Sequence, residues 1–490
     1  MDIDVAQVSP TGSQDRRSPS KNGVSRDESV LSPRYRAATI GMVALVALGA
    51  FESLAVATAM PTVAAALDGV SLYTLSFAGA LAANIVGMVA AGRWSDVRGP
   101  IPPLWIGVAL FMAGLLVSGW AQDMTWFLWG RIVQGVGSGA ISVVLYVIAA
   151  RTYPERLQPK IFGAFSAGWV IPSLIGPTLT GVIVEHVGWR WVFLAVPLLA
   201  LPAALMMRPG MRSLASVGRK PLTGVPRLFD ARVAWACGAA IGVCLLHLAS
   251  EPSGHGHALL TVVALIMLFV SAQRLLPKGS LRARPGVAGV IALRAIAGAV
   301  FFGTEAFIPL LLSREYGLSP VWAGAVLMIG ALGWSLGSWY QGNTQQTQAR
   351  NGLLRKGMSL MIAGVLILST AIAVIHAYPM EQASLVAIGG ALVAWALTGA
   401  GMGLVYPSLS VLLLAYSAPD EVGNNSSALR LADALGVAGV LALDGAIFAR
   451  LLSHAPSMAY LAVFSLSAVL AVLGLALTRR TVATEVAPTN

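Results

Sequence analysis

The sequence predicts an all-α polytopic membrane protein, and two observations carry that prediction. Of its 490 residues, 57% are hydrophobic and only 11% charged, with a mean hydropathy of +0.76. A soluble chain of this size carries roughly 25% Asp, Glu, Lys and Arg. The apolar residues also come in blocks, such as 37–61 and 126–150, each long enough to cross a hydrocarbon core of about 30 Å as a helix. Only helices and closed barrels satisfy their backbone in lipid, and the alternation of a barrel strand is absent.

Six spans are expected at 37–60, 72–92, 104–121, 126–150, 161–184 and 191–207. Six more follow at 288–312, 321–340, 357–377, 384–415 (one long or bent helix), 425–449 and 458–478. The expected organisation is a disordered cytoplasmic tail over 1–36, a six-helix half over 37–207, a basic linker over 208–287, a second six-helix half over 288–478 and a short tail over 479–490. The linker holds two shorter apolar stretches, 233–249 and 258–273, separated by Glu251-Pro-Ser-Gly-His255-Gly-His257. Its polar separator and basic flanks suit a hairpin that crosses and returns, which makes fourteen spans. Both stretches are near or below the usual 17–25 residues, so a re-entrant hairpin with twelve full spans stays open.

The net charge of +11 raises the question of nucleic acid, and the placement of the charges answers it. With the N-terminus in the cytoplasm, all but Arg131, Arg190, Arg294, Arg314 and Arg450 of the 32 basic residues fall in inside loops and tails. That is the positive-inside bias; it puts both termini in the cytoplasm and leaves no aromatic-interleaved basic patch to read bases. Cys237 and Cys244 are seven residues apart on one expected helix, about 10.5 Å along its axis, too far to bridge. The six histidines are scattered, and His255-Gly-His257 lacks further ligands at metal spacing, so neither a metal nor a cofactor site is expected. No cleavable apolar leader is expected ahead of the first span.

Polar residues inside the spans are the candidate working parts, because an ionisable group in hydrocarbon is costly unless it faces a cavity or a partner. In the fourth span, Arg131, Gln134, Ser138 and Ser142 form one stripe on an otherwise apolar helix. Snorkelling is the alternative for Arg131, which lies about 9 Å from the outer end by helical rise. Glu52 sits in the first span and Glu305 in the seventh of the twelve, each followed by a proline, Pro61 or Pro309, expected at the outer end. A carboxyl group in low dielectric is hard to ionise, which suits it to loading and unloading protons. If their helices adjoin, Glu52 and Arg131 can share a cavity. Arg294, Arg430 and Asp433 are accounted for by snorkelling or by an Arg430–Asp433 pair at i, i+3; Asp444 has no evident place.

The halves look like a weak internal repeat, with Gly92-Arg-Trp-Ser-Asp96 ending one second span and Gly337-Ser-Trp-Tyr-Gln341 the other. Their fourth spans share glycine-rich runs, Gln134-Gly-Val-Gly137 and Gly399-Ala-Gly-Met-Gly403. Gly92-Arg93-Trp-Ser-Asp96-Val-Arg98-Gly99 resembles the major facilitator superfamily loop motif, although Val97 replaces its first Arg and Pro100 and Ile101 stand where basic residues usually follow. Gly92 is expected to let two helices approach, Gly99 to make the turn, and Asp96 to meet a helix terminus or a neighbouring Arg. Arg131-Ile-Val-Gln134-Gly135 is similar to the family's fourth-span pattern. Pro172, Gly176, Pro177 and Gly181 resemble its antiporter-type motif, with Pro172 and Thr180 in place of two glycines.

Glu52, nine before Pro61, stands where the fourteen-helix drug:proton antiporter branch of that superfamily has Asp. The resemblance implies a major facilitator fold of two six-helix halves with a two-helix insert. It further implies proton-coupled export of small amphipathic molecules by a monomer in a bacterial cytoplasmic membrane, with Glu52, Arg131, Gln134 and Glu305 in the coupling and substrate cavity. Uptake, or export of one dedicated metabolite, lipid or siderophore, is the alternative within transport. A membrane transferase would need paired carboxylates or His on a sizeable outer loop, which the short outer loops lack. A receptor would not need Glu52 and Arg131 inside the bilayer.

Overall fold

The computed structural model describes residues 29–154, 157–208, 231–249, 257–342, 347–375, 380–418, 421–452 and 455–482. Most of the N-terminal tail, the linker over 209–230, the separator 250–256, the loop residues 343–346 and the tail beyond 482 lie outside that range. The described residues form α-helices and a few short 3₁₀ turns, with no strand.

The first half comprises α1 (Arg36–Ala66), α2 (Tyr73–Arg98), α3 (Ile101–Trp120), α4 (Met124–Thr152), α5 (Gln158–Ala167), α6 (Val170–His186) and α7 (Arg190–Met206). Then come α8 (Ala231–Leu248) and α9 (His257–Leu275). The second half comprises α10 (Val287–Arg314), α11 (Pro320–Gly342), α12 (Thr347–Ile375), α13 (Met380–Tyr416), α14 (Val422–Leu452) and α15 (Pro456–Leu477). The expected fifth span is broken at 168–169 into α5 and α6. With that pair taken as one, 12 helical segments of the described residues are long and apolar enough to cross a membrane, α8 among them; α7 and residues 259–275 of α9 are apolar but shorter.

The first helix runs past the expected end at residue 60, so that Pro61 lies inside α1, which continues to Ala66; Pro309 lies inside α10, as the expected span 288–312 had it. Packed neighbours in a bundle re-satisfy the backbone that a proline frees. For the same reason α13 stays continuous through Pro407.

Small residues set how closely the helices approach. A Cβ at Gly135 or Gly139 of α4 would collide with the backbone oxygens of Ala80 or Asn84 on α2, and one at Gly87 with that of Val136. The second half repeats the arrangement: Gly399 and Gly403 of α13 lie against the backbone of Gly330 and Trp334 on α11. Without a hydrophobic drive between helices in lipid, such backbone-to-backbone packing supplies the association energy. The tight approach expected at Gly92 is not there; a Cβ at that position would meet only Val143 Cγ1, at an ordinary 3.6 Å.

The halves meet along α2–α14 and α6–α11, with α1 against α10 between them, and the α8–α9 hairpin lies across α2 and α14. Ala236 of α8 and Leu275 pack with Ile85 of α2 and with Leu431 and Leu435 of α14. The described ends of the chain, Ser29 and Val482, lie on one face of the bundle. There the Gly286 N–H donates to Arg480 O at 3.1 Å, and the hydroxyls of Thr39 and Tyr153 share a hydrogen bond at 2.7 Å. We call this the terminal face and its opposite the distal face.

Candidate functional site

Glu52, at the middle of α1, and Arg131, two turns into α4, point at each other across the first half. Arg131 Nη1 donates to Glu52 Oε1 and also to Oε1 of Gln134, one turn further along α4. Each of the two charged residues is only 6% exposed, so Arg131 does not snorkel. Its Nε–H is buried without a partner among the described residues. Desolvating two charges is expensive, so this buried pair is a candidate for function rather than a source of stability. The polar stripe continues along α4: Asn84 Nδ2 of α2 donates to Ser138 Oγ at 2.8 Å, while Ser142 turns back to Gly139 O.

Glu305 does not join this group. It is partly exposed on α10 and has no ion pair among the described residues. The second half instead builds its charge site from Arg294 of α10, Tyr406 of α13 and Asp433 of α14. Arg294 Nη2 lies 3.4 Å from Asp433 Oδ2, its guanidinium carbon stands 3.3 Å from the Tyr406 ring centroid, and the Tyr406 hydroxyl donates to Asp433 Oδ1. The expected Arg430–Asp433 pair is not formed. Arg430 reaches across to the other half, where its Nη2 donates to the Tyr146 hydroxyl on α4 and its guanidinium covers that ring at 4.3 Å. Sequence reasoning missed this cluster, although an arginine inside a span was the signal that a partner existed. Trp334, beside Tyr406 at 5.4 Å, extends it into an aromatic group with Phe301 and Trp395.

The antiporter-type residues lie at the seam between the halves. Pro172, Gly176, Pro177 and Gly181 are buried on α6. A Cβ at Gly181 would strike the backbone of Pro320 and Val321, and one at Gly324 of α11 the backbone of Pro177. Glu185 then accepts the Val321 N–H at 3.0 Å. On the other seam the Tyr73 hydroxyl of α2 donates to Ala306 O of α10 at 2.6 Å. Both sets of contacts sit toward the distal face, so that face is closed. Gly176 faces Phe51, the neighbour of Glu52, at 3.5 Å for an added Cβ.

The loop motif lies on the terminal face. Gly99 ends α2 at φ +88°, a conformation that suits glycine, with its N–H on Ser95 O at 3.1 Å. Asp96 and Arg98 are exposed and Arg93 partly so, while Arg151 of α4 reaches Ser95 O at 3.5 Å. No group of three or more His, Cys, Asp or Glu among the described residues could hold a metal ion, and Cys237 and Cys244 are free thiols.

Comparison with known proteins agrees with this architecture. The chain is 24% identical over 422 residues to the multidrug transporter protein MdtP of Bacillus subtilis, covering 83% of this chain and 74% of the relative. It is 25% identical over 347 residues to multidrug resistance protein 3 of the same organism, covering 67% and 65%. An uncharacterized transporter of Schizosaccharomyces pombe is 32% identical over 169 residues, covering 34% of this chain and only 28% of that protein. Among solved structures, the POT family transporter PepTSo superposes with a TM-score of 0.67 at 13% identity, covering 91% of this chain and 98% of that one, which shows the shared fold. The family model described as Major Facilitator Superfamily matches residues 41–439. The chain therefore belongs to the Major Facilitator Superfamily, a family of multi-pass membrane transporters.

Proposed function

We propose that this protein is a proton-coupled exporter of small amphipathic molecules, of the multidrug-efflux type, working as a monomer in a bacterial cytoplasmic membrane. On this reading the terminal face is cytoplasmic and the distal face external, as the basic loops favour. The observation that carries the proposal is the buried contact of Glu52 with Arg131 and Gln134. A carboxyl group held there is neutralised by a cation, by a proton or by a cationic substrate, and these three exclude one another electrostatically.

In the cycle, a proton from the external side binds a Glu52 carboxylate oxygen while the distal face is open. The neutral acid releases the substrate, and Arg131 does not re-pair with it until the proton has left. The halves then rock along α2–α14 and α6–α11 to the distal-closed arrangement, and the proton leaves to the cytoplasm. One proton entering against one monovalent cation leaving moves no net charge, so the pH gradient alone drives that exchange; against a neutral substrate one charge moves inward, worth about 2.3 kcal/mol per 100 mV. The two Bacillus relatives named for multidrug transport support the substrate class.

The test is made in inverted vesicles that carry a pH gradient. Adding a lipophilic cation such as tetraphenylphosphonium should drain the gradient only when the protein is present. Substrate accumulation that persists after the gradient is collapsed would overturn the reading.

A further inference from the structure

Asp444 of α14 is the most deeply buried carboxyl group in the described chain, at 0% exposure, and neither of its oxygens has a hydrogen-bond partner. It lies where three helices converge. Its Oδ2 faces Gly303 of α10, 3.1 Å from where a Cβ would stand, and the next residue, Gly445, abuts Thr74 of α2. Immediately to the distal side is an aromatic seal. Tyr73 donates to Ala306 O, one turn from Gly303 on the same face of α10, and its ring lies 6.3 Å from Phe307; Phe307 in turn lies 5.1 Å from Phe448, one turn beyond Asp444. A depression of about 270 Å³ borders the seal, its lining including Val70, Ser71, Thr74, Arg314, Gly445 and Phe448.

Among the described residues no neighbouring charge pairs with Asp444. Glu305 is two residues from Gly303 on α10 and so projects to another side of that helix; Arg314 lies at the mouth of the depression. From α2 comes Tyr73, committed to Ala306, and from α15 Tyr460, whose own hydroxyl is unpartnered. From α8 comes His247, and Arg450 of α14 itself is spent on Ala249 O at 2.9 Å. The stretches of α9 and α13 over 258–273 and 382–405 hold no ionisable side chain. A buried carboxyl group with neither a hydrogen-bond partner nor a counter-charge is costly unless something neutralises it.

We propose that Asp444 is a second proton-binding site, separate from Glu52, loaded from the distal side and required for the α2–α14 seam to close. When α2 parts from α10 and α14, water reaches the carboxyl group and the proton can leave; closure traps it again. The seam is therefore a proton-locked gate, open more often as the distal pH rises. The lock rests on this geometry and not on coupling through Glu52, so it can stand or fall apart from the proposed export.

The test places a cysteine at Thr74, only 4% exposed with the seam closed, in a chain with Cys237→Ser and Cys244→Ser. Labelling by a membrane-impermeant maleimide is referred to a cysteine at the exposed Gln122, which corrects for thiol ionisation. The relative rate at Thr74→Cys should climb by up to about tenfold per pH unit, the slope of one linked proton. Asp444→Asn and Asp444→Val, both permanently neutral, should label slowly at every pH. A parent protein indifferent to pH overturns the proposal. So does either variant that keeps the parent's pH slope, and so does fast labelling of both variants at every pH, which would mean that a neutral side chain at 444 does not hold the seam shut.

Discussion

Asp433 pairs with Arg294 on another helix at 3.4 Å, although Arg430 stands one turn away on its own. The choice follows from exposure: Arg430 is exposed and reaches Tyr146 across the seam, whereas Arg294 lies inside the second half over the Tyr406 ring. Asp433→Asn should therefore lower the unfolding midpoint in detergent. The loss should be about 1–3 kcal/mol, reduced from the cost of breaking a fully buried pair because both side chains keep some contact with water. Arg430→Ala should change stability by less than about 0.5 kcal/mol. Arg294→Lys should behave like the first variant, since an ammonium does not reproduce the flat stacking of a guanidinium on Tyr406.

Glu52→Gln keeps the shape of the side chain and its acceptor for Arg131 but removes the titrating charge. Drug-dependent drainage of a pH gradient should fall to the level of vesicles lacking the protein, with membrane insertion intact and some substrate binding kept. Glu52→Asp, which restores the acid usual in the resembled branch, should retain part of the activity. Full drainage by Glu52→Gln would move the coupling role to another carboxyl group.

Glu305 lies apart from the Arg131 cluster and carries no ion pair among the described residues. Glu305→Gln should therefore leave drainage of the gradient closer to the parent than Glu52→Gln does. Its effect is expected on the range of substrates accepted, read by comparing transport of several cations.

The seam at α6–α11 depends on backbone contact at Gly181 and Gly324. Gly181→Leu or Gly324→Leu should hold the distal face open, since the added side chain has nowhere to go against backbone. A cysteine at Thr178, half-buried beside Met328, should then label quickly from the distal side. Unchanged labelling with unchanged transport would show that the halves close without this contact.

Asp96→Asn should slow transport while leaving the amount of inserted protein nearly unchanged, because Asp96 is exposed on the terminal face. Normal rates at normal expression would reduce the loop to a topological signal.

By itself the sequence determined the helical membrane fold, because hydropathy over a span's length leaves the chain no other way to satisfy its backbone in lipid. It also marked Glu52 and Arg131, since charge inside a span is rare enough to stand out without knowledge of any contact, and Gln134 through the polar stripe it shares with Arg131. The partners of those charges were decided only by tertiary structure. Arg131 has Glu52 79 residues away and Arg294 has Asp433 139 residues away, and helical spacing speaks only of neighbours three or four apart. So the Arg430–Asp433 pair suggested by spacing gives way to Arg294–Tyr406–Asp433. Asp444, unplaced in the sequence, acquires meaning only where α2, α10 and α14 converge. Which glycines are contacts was equally hidden: Gly92 belongs to a motif yet packs loosely, while Gly181 and Gly324 bring two halves of the chain to backbone distance, a property of the assembled seam and of neither helix alone.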